Sequence, residues 1–286
     1  MDYHSDRFQD FSLLVFKNNK LVVLFPANVV DKVVYSHQGL TYGGMIYSKN
    51  LKTPDAIDAF IAVLQFLNEN SIANIILKEL PSIYLYNQTN NPMAYALFKT
   101  RAELIRTDMH SVVDIKYKSY TNSRKEGVSR GVKSNLRVEE SHSFDLFWNS
   151  ILIPNLKSKH NVEPVHSLEE MTLLKSRFPD NIRQFNVFYN DTIVGGATIF
   201  ETQHVAHCQY ISGNANKNEL GSLDFLHHHL IENVFVSKLY FDFGTSNINA
   251  GENINKGLQF WKEGFGARSI TQGFYKIDTE NYKLLG

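Results

Sequence analysis

The spacing of hydrophobic residues predicts alternating strands and helices along the whole chain. Two apolar runs in residues 10–27 flank the polar turn Lys17–Lys20, which is the pattern of a β-hairpin. A third strand is predicted in residues 32–44 and ends in glycines, and residues 72–80 form a short buried strand. Between them, residues 53–70 predict a helix with Thr53 as its cap and Pro54 in its first turn; its apolar face is Ile57, Phe60, Ile61, Leu64 and Leu67.

The second half of the chain repeats this order with longer elements. A basic helix is predicted in residues 121–135, a strand in 136–141, and helices in 143–160 and 167–179, the latter opened by a Ser167-x-x-Glu170 capping box. A hairpin that turns at Asn190-Asp191 and a third strand follow. The predicted order then closes with a helix in 222–238, a strand in 239–244, a helix in 253–265 and a strand in 269–277.

The two halves share one order of elements, which indicates a degenerate internal duplication. Each half has a hairpin, a third strand, a glycine turn, a helix and a buried strand. Antiparallel strands that feed a helix and then a neighbouring strand favour an α+β fold over a doubly wound sheet. Neither a G-x-G-x-x-G turn after the first strand nor a P-loop motif occurs. We predict two domains, residues 1–110 and 111–286.

Composition restricts the partners rather than the fold. Lys and Arg number 29, as do Asp and Glu, so no global charge attracts the chain to nucleic acid or to an anionic membrane, and DNA is not an expected partner. The apolar run at residues 21–30 is too short to span a bilayer. The first residues lack the layout of a signal peptide, and the single cysteine, Cys208, fits a reducing compartment. The expected location is therefore the cytoplasm.

Five motifs in the second half of the chain stand in a specific order, and they are "VFYNDTIVGGATIF", "HCQYISGN", "LGSLDFLHHHLIENV", "YFDFGTSN" and "NKGLQFWKEGFGA". Together they resemble the motifs of Fem-type (FemAB-type) acyltransferases in the GNAT (GCN5-related N-acetyltransferase) superfamily, and the resemblance covers roughly residues 120–280. It implies two GNAT-like domains, each a mixed, mostly antiparallel sheet flanked by helices, with a degenerate N-terminal domain. It also implies that strands 204–212 and 238–243 splay apart and hold the acyl donor between them.

The same resemblance implies a donor site. Acyl-CoA would be the co-substrate, with its phosphates near Leu220, Gly221 and Ser222 at a helix N-terminus and with Tyr210 nearby. The superfamily loop is [Q/R]-x-x-G-x-[G/A], whereas this chain has Asn218-x-x-Gly221-x-Leu223 and keeps one glycine. Fem-type relatives can instead take an aminoacyl group from tRNA, but the long apolar heptads of their helical arm are missing here, which disfavours that donor.

Three residues are candidates for catalysis. Asp242 alternates with two phenylalanines along its strand and can orient an amine or act as a base; equally, it can cap the turn that follows. Lys262 matches the family's lysine near the donor, or it is a solvated lysine favoured by the helix dipole. His207 can serve as a base or pack in the core. Alternation places His207 on one face of its strand and both Cys208 and Tyr210 on the other.

Six residues are candidates for binding the acceptor, which would be a small molecule or a nucleotide-linked precursor. They are Ser36, Tyr42, Arg130, Lys133, Ser246 and Asn247. The basic pair belongs to a helix that can contact phosphates or simply face solvent. No metal site is expected, because consecutive histidines in "DFLHHHL" point about 100° apart on a helix.

The leading hypothesis is an N-acyltransferase that moves an acyl group from acyl-CoA to an amine of a small molecule or cell-envelope precursor, such as an amino-sugar nucleotide. The alternatives are a Fem-like aminoacyl-tRNA-dependent transferase acting on a peptidoglycan precursor, and a non-catalytic binding protein with the same fold.

Overall fold

A computed structural model describes residues 6–41, 43–86 and 91–286, and the chain divides into two compact units. The first unit comprises residues 1–108, 247–253 and 271–286, and the second comprises 109–246 and 254–270. The division falls within three strands, β7 (Glu103–Asp114), the short β14 (Asn253–Ile254) and β15 (Arg268–Asp278). Residues 247–253 and 271–286, which the sequence prediction placed in a C-terminal domain, group with the first unit.

The first unit contains two small sheets and a long helix. An antiparallel hairpin of β1 (Leu13–Lys17) and β2 (Lys20–Phe25) pairs with β5 (Ile46–Tyr47), which confirms the predicted hairpin. The second sheet has the order β3-β4-β6-β15, with β4 and β6 parallel. The other elements are β3 (Asn28–Val30), β4 (Val33–Tyr35), α1 (Thr53–Glu69), β6 (Asn74–Lys78), α2 (Met93–Lys99) and the short strand β13 (Asn247–Ile248), which pairs with β14 (Asn253–Ile254).

Helix α1 contributes one face to the first unit's core. Its residues Phe60, Leu64 and Leu67 are buried, as the apolar spacing predicts, and Val63 is buried with them. The predicted cap is wrong, because Lys52 occupies the cap position without a side-chain hydrogen bond and Thr53 is already helical. Pro54 does lie in the first turn, where its missing N–H costs nothing.

The second unit is a six-stranded sheet with helices on both faces. Its order is β7-β12-β11-β10-β9-β8, and β11 with β12 is the parallel pair. Its strands, beside β7, are β8 (Arg137–Ser141), β9 (Ile182–Tyr189), β10 (Thr192–Glu201), β11 (Val205–Gly213) and β12 (Tyr240–Thr245). Its helices are α3 (Asn122–Lys133), α4 (Asp145–Phe147), α5 (Ile153–His160), α6 (Leu168–Arg177), α7 (Lys217–Leu220), α8 (Ser222–His229) and α9 (Lys256–Glu263).

Two short π-helical segments continue these helices, Trp148–Leu152 after α4 and Leu230–Val234 after α8. The capping box at Ser167 and Glu170 is present and opens α6 as predicted. In the part of the chain that the structure describes, one strand pair in each unit is known to be parallel, β4 with β6 and β11 with β12, and the others of known direction are antiparallel, so the predicted α+β class is confirmed. Among the described residues, no helix has both the length and the apolar composition needed to cross a bilayer.

Candidate functional site

The parallel strands β11 and β12 of the second unit pair for only three residues and then separate. The pairs are Val205 with Tyr240, Ala206 with Phe241 and His207 with Asp242. Beyond that point β11 continues to Gly213, while the pairing of β12 with β7 is irregular between Asp242 and Thr245. Gly244 has a positive φ of 69°, a conformation that residues with a Cβ rarely adopt. We call this separation of β11 from β12 the fork.

The fork opens into a cavity of about 760 Å³. Its walls come from the outer half of β11, the end of β12, and helices α5, α7, α8 and α9. Asn155 of α5 fixes one wall, because its amide donates hydrogen bonds to the hydroxyl of Ser212 and the carbonyl of Gly213, both at 2.8 Å. The side chains that line it include Arg124, Lys159, Cys208, Lys217, Trp261 and Lys262.

The charge of the cavity wall is positive. Arg124, Lys159, Lys217 and Lys262 line it together with one carboxylate, Asp224. That carboxylate is already engaged by the guanidinium of Arg124 and by the indole N–H of Trp261 at 2.8 Å. Burial, and secondarily the charge of Lys159, lowers the pKa of Lys217. Lys159 and Lys217 therefore have no carboxylate partner within the cavity lining. Two such ammonium groups favour a ligand that carries phosphate.

Lys262 reaches from α9 to the end of β12. Its ammonium donates to the carbonyl oxygens of Gly244 at 3.0 Å and Thr245 at 2.8 Å, and the residue is only 2% exposed. Burial lowers its pKa to about 8, against the opposing effect of the Asp242 carboxylate. Lys262 is therefore a buried cation at the cavity wall, and the alternative of a solvated surface lysine is wrong.

Asp242 and His207 lie under the fork and are joined by a histidine that the sequence analysis did not single out, His110 of β7. The Nδ1 atoms of His110 and His207 lie 2.9 Å and 3.0 Å from the same Asp242 oxygen, Oδ2. Asp242 Oδ1 accepts the Gly244 N–H at 2.7 Å. Burial would raise the pKa of Asp242, but the hydrogen bonds from the two histidines hold it well below its usual range. Asp242 thus caps the turn, and neither it nor His207 lines the cavity.

A bulge in β11 changes which side chains share a face. Cys208 is paired with Ile199 and Tyr210 with Thr198, which are adjacent residues of β10, so Cys208 and Tyr210 point to opposite faces. The predicted alternation, which put them on one face, is therefore wrong. Tyr210 packs against Trp148 and lies 2.7 Å from His166 Nδ1 through its hydroxyl, away from the cavity lining.

Cys208 does line the cavity and has an imidazole beside it. His227 Nδ1 donates to the Leu223 carbonyl at 2.7 Å, which turns Nε2 toward the Cys208 sulfur at 3.8 Å. Burial raises the pKa of Cys208 and lowers the pKa of His227 to about 4. Because both groups are held neutral, this pair lacks the thiolate that nucleophilic catalysis needs.

The predicted phosphate-binding residues pack on a neighbouring helix. Gly221 has a φ of 67°, and a Cβ there would lie 2.1 Å from the Gly127 carbonyl oxygen of α3. Ser222 is fully buried, and its hydroxyl has no hydrogen-bond partner. The cavity lining comes instead from Lys217 and Asn218, just before Leu220–Ser222, and from Leu223 after it.

The predicted acceptor residues divide between the two units. Arg130 donates to the Asn218 carbonyl at 3.2 Å, and Lys133 is exposed at the end of α3. Ser246 is buried in the second unit, whereas Asn247 belongs to the first unit and donates to the Gly251 carbonyl. Tyr42 lies outside the described residues.

Ser36 closes the first unit's own parallel pair, β4 and β6. Its hydroxyl accepts the Lys78 backbone N–H at 2.6 Å, and a Cβ on Gly43 would lie 2.1 Å from the Ser36 carbonyl oxygen. The hydrogen bond therefore joins the ends of β4 and β6, the strands that would separate in a donor site.

Comparisons with known proteins show the fold. Neither a family model nor a curated protein matches the chain. Among solved structures, the C-terminal domain (DUF2156) of a protein described as a lysylphosphatidylglycerol synthetase from Agrobacterium fabrum has a TM-score of 0.66 at 11% identity, covering 96% of this chain and 87% of that one. FemX has a TM-score of 0.65 at 12% identity, covering 96% and 90%.

A tandem GNAT protein from the clavulanic acid biosynthesis pathway has a TM-score of 0.51 at 11% identity, covering 93% of this chain and 82% of that one. These structures have the Fem-like and tandem GNAT folds that the motifs predict, so the predicted fold is confirmed. At identities of 11–12%, these structural similarities show the fold alone, and the chemistry has to be inferred from the site.

Proposed function

We propose that this protein is an acyltransferase that binds a phosphate-bearing acyl donor in the fork and transfers the acyl group to an amine. The observation that carries the proposal is the cavity of about 760 Å³ where β11 leaves β12, with Lys159 and Lys217 on its wall and Lys262 at its inner end. A cavity of this volume is within the range that holds a cofactor-sized ligand. The preferred donor is acyl-CoA.

The reaction needs few side chains. The acceptor nitrogen attacks the thioester carbonyl, a C–N bond forms, and the C–S bond breaks, so that the thiolate leaves and the nitrogen releases one proton to solvent. Negative charge develops on the carbonyl oxygen and then on the sulfur. A buried ammonium at the cavity wall stabilises that charge more in the transition state than in the ground state, and Lys262 supplies it.

Asp242 and His207 act indirectly in this scheme. They do not line the cavity, so neither is placed to take a proton from the acceptor. The carboxylate fixes the Gly244 N–H, and Lys262 holds the Gly244 and Thr245 carbonyls, so the two side chains together set the position of the strand end. We propose the amine of a small molecule or cell-envelope precursor as the acceptor, on the sequence resemblance.

The position of Leu220–Ser222 favours one alternative donor. Because these residues pack on α3, phosphates in the cavity would meet lysine side chains rather than a glycine-rich loop. Lysines bind phosphate as point charges without a fixed geometry. The 3′ end of an aminoacyl-tRNA therefore remains a second candidate donor.

Titration calorimetry with acetyl-CoA and longer acyl-CoAs tests the proposal. We expect binding that weakens at least tenfold in the Lys159→Glu/Lys217→Glu variant and stays unchanged in Lys133→Glu, since Lys133 is an exposed lysine outside the cavity lining. Amino acid transfer from charged tRNA without acyl-CoA binding would support the alternative. Absence of binding to both donors would contradict the proposal and indicate a non-catalytic protein.

A further inference from the structure

Three adjacent strands bring two imidazoles and a carboxylate together under the fork. His110 lies on β7, Asp242 on β12 and His207 on β11, all in the second unit. Asp242 is directly paired with His207, and His110 is paired with Thr245 across the irregular end of β12. One candidate ligand atom from each residue can be chosen so that all three lie within 4.8 Å of one another.

In this cluster one nitrogen of each imidazole lies next to the same carboxylate oxygen. Asp242 Oδ2 is 2.9 Å from His110 Nδ1 and 3.0 Å from His207 Nδ1. Two ligand atoms that each lie about 2.1 Å from an ion and subtend about 90° are separated by about 3 Å. Each of the two oxygen–nitrogen separations therefore matches that of neighbouring ligands in a site with two histidines and one carboxylate.

The surroundings keep the three side chains in place. They are 3%, 0% and 4% exposed for His110, Asp242 and His207, so solvent competes little for their ligand atoms. The Gly244 N–H holds Asp242 Oδ1 at 2.7 Å, which orients Oδ2 toward both rings. A hydrogen bond to the second carboxylate oxygen of this kind is how proteins orient a metal ligand.

We propose that His110, His207 and Asp242 form a binding site for a divalent transition-metal ion. Imidazole and carboxylate ligands in this ratio suit Zn²⁺, Co²⁺ and Fe²⁺ better than Mg²⁺ or Ca²⁺, which prefer oxygen. The ion ties β7, β12 and β11 together at the point where β11 and β12 begin to separate. It lies behind the donor cavity rather than in it, since none of its three ligands lines that cavity. Its role is thus to hold the fork, independently of the proposed transfer.

The test uses the full chain, stripped with a chelator and titrated with Co²⁺. We expect one equivalent to bind, with visible d–d absorption, and to be displaced by one equivalent of Zn²⁺. The variants His110→Ala and His207→Ala should bind at least tenfold more weakly, while His142→Ala, which changes an exposed histidine, should bind like the wild type.

Thermal unfolding of the wild-type protein keeps the test independent of whether the variants fold. Its midpoint should rise on addition of Co²⁺ or Zn²⁺, because an ion bound only by the folded state stabilises that state. If the stripped wild-type protein binds no Co²⁺ and its midpoint does not move, the three residues form a hydrogen-bonded network alone and the proposal is wrong. Unchanged binding in His207→Ala would also overturn it.

Discussion

Replacing Gly127 with alanine should loosen the contact between α3 and α8 that supports the cavity wall. Gly127 is buried, and a Cβ there would lie 1.7 Å from Asp224 Oδ2 and 2.5 Å from Asp224 Cγ. Since Asp224 is itself buried, its side chain can only move by giving up its bonds to Arg124 and Trp261 or by pushing the helices apart. Either response disturbs two residues of the cavity lining.

The magnitude follows from three contributions. Forcing a methyl group into a packed site costs about 1–3 kcal/mol. Weakening hydrogen bonds to a charged, largely buried group costs about 1.5–3 kcal/mol. Alanine gains about 1 kcal/mol over glycine in a helix. The net loss should be about 1.5–5 kcal/mol, which for a chain of 286 residues corresponds to a midpoint about 3–9 °C lower.

Guanidinium unfolding followed by circular dichroism measures this loss, with Gly257→Ala as the matched control. A Cβ on Gly257 would meet only Asn255 Oδ1, at an ordinary 3.7 Å, so alanine there should keep or slightly raise stability. If Gly127→Ala were as stable as the wild type within about 0.5 kcal/mol, the close contact between α3 and α8 would not limit the stability of the protein.

Three further substitutions or treatments have expected outcomes. Lys262→Met should lower the transfer rate, measured by steady-state kinetics, about 10²–10³-fold, while the donor affinity measured by calorimetry changes only a few-fold. An unchanged rate would show that Lys262 has no part in the mechanism. Lys78 donates to the Leu40 carbonyl, and burial lowers its pKa from the ordinary value of 10.5 to about 8. Between these two pH values the unfolded chain binds more protons than the folded protein, so the free energy of unfolding rises with pH. Denaturation midpoints should show this rise in the wild type and a smaller one in Lys78→Met. Because burial raises the pKa of Cys208, a thiol reagent should react slowly with the native protein and fast in denaturant, and rapid native reaction would refute the neutral-thiol assignment.

Local signals in the sequence were sufficient for most of the fold. The spacing of Phe60, Leu64 and Leu67 predicts α1, and the capping box at Ser167 predicts the start of α6. Strand β7 was missed because Arg106 and Asp108 break its apolar pattern, and their ion pair at 2.7 Å becomes visible only after folding.

The site was harder to predict because its residues meet through non-local contacts. His110 lies 132 positions from Asp242 in sequence, and only strand order makes them neighbours. The bulge that turns Tyr210 away from Cys208 has no marker in the local sequence, so strict alternation misassigned it. Lys159 and Lys217 look like ordinary surface lysines until α5 and α7 are placed at the fork. Lys262 was found because the family motif contains it.

The most direct test of the account is the binding of acyl donor to the wild-type protein and to the Lys159→Glu/Lys217→Glu variant in parallel. We predict that the wild type binds an acyl-CoA and that the double variant binds it at least tenfold more weakly, with an unchanged thermal midpoint. If both proteins bound acyl-CoA equally well, or the wild type bound neither acyl-CoA nor aminoacyl-tRNA, the fork would not be a donor site.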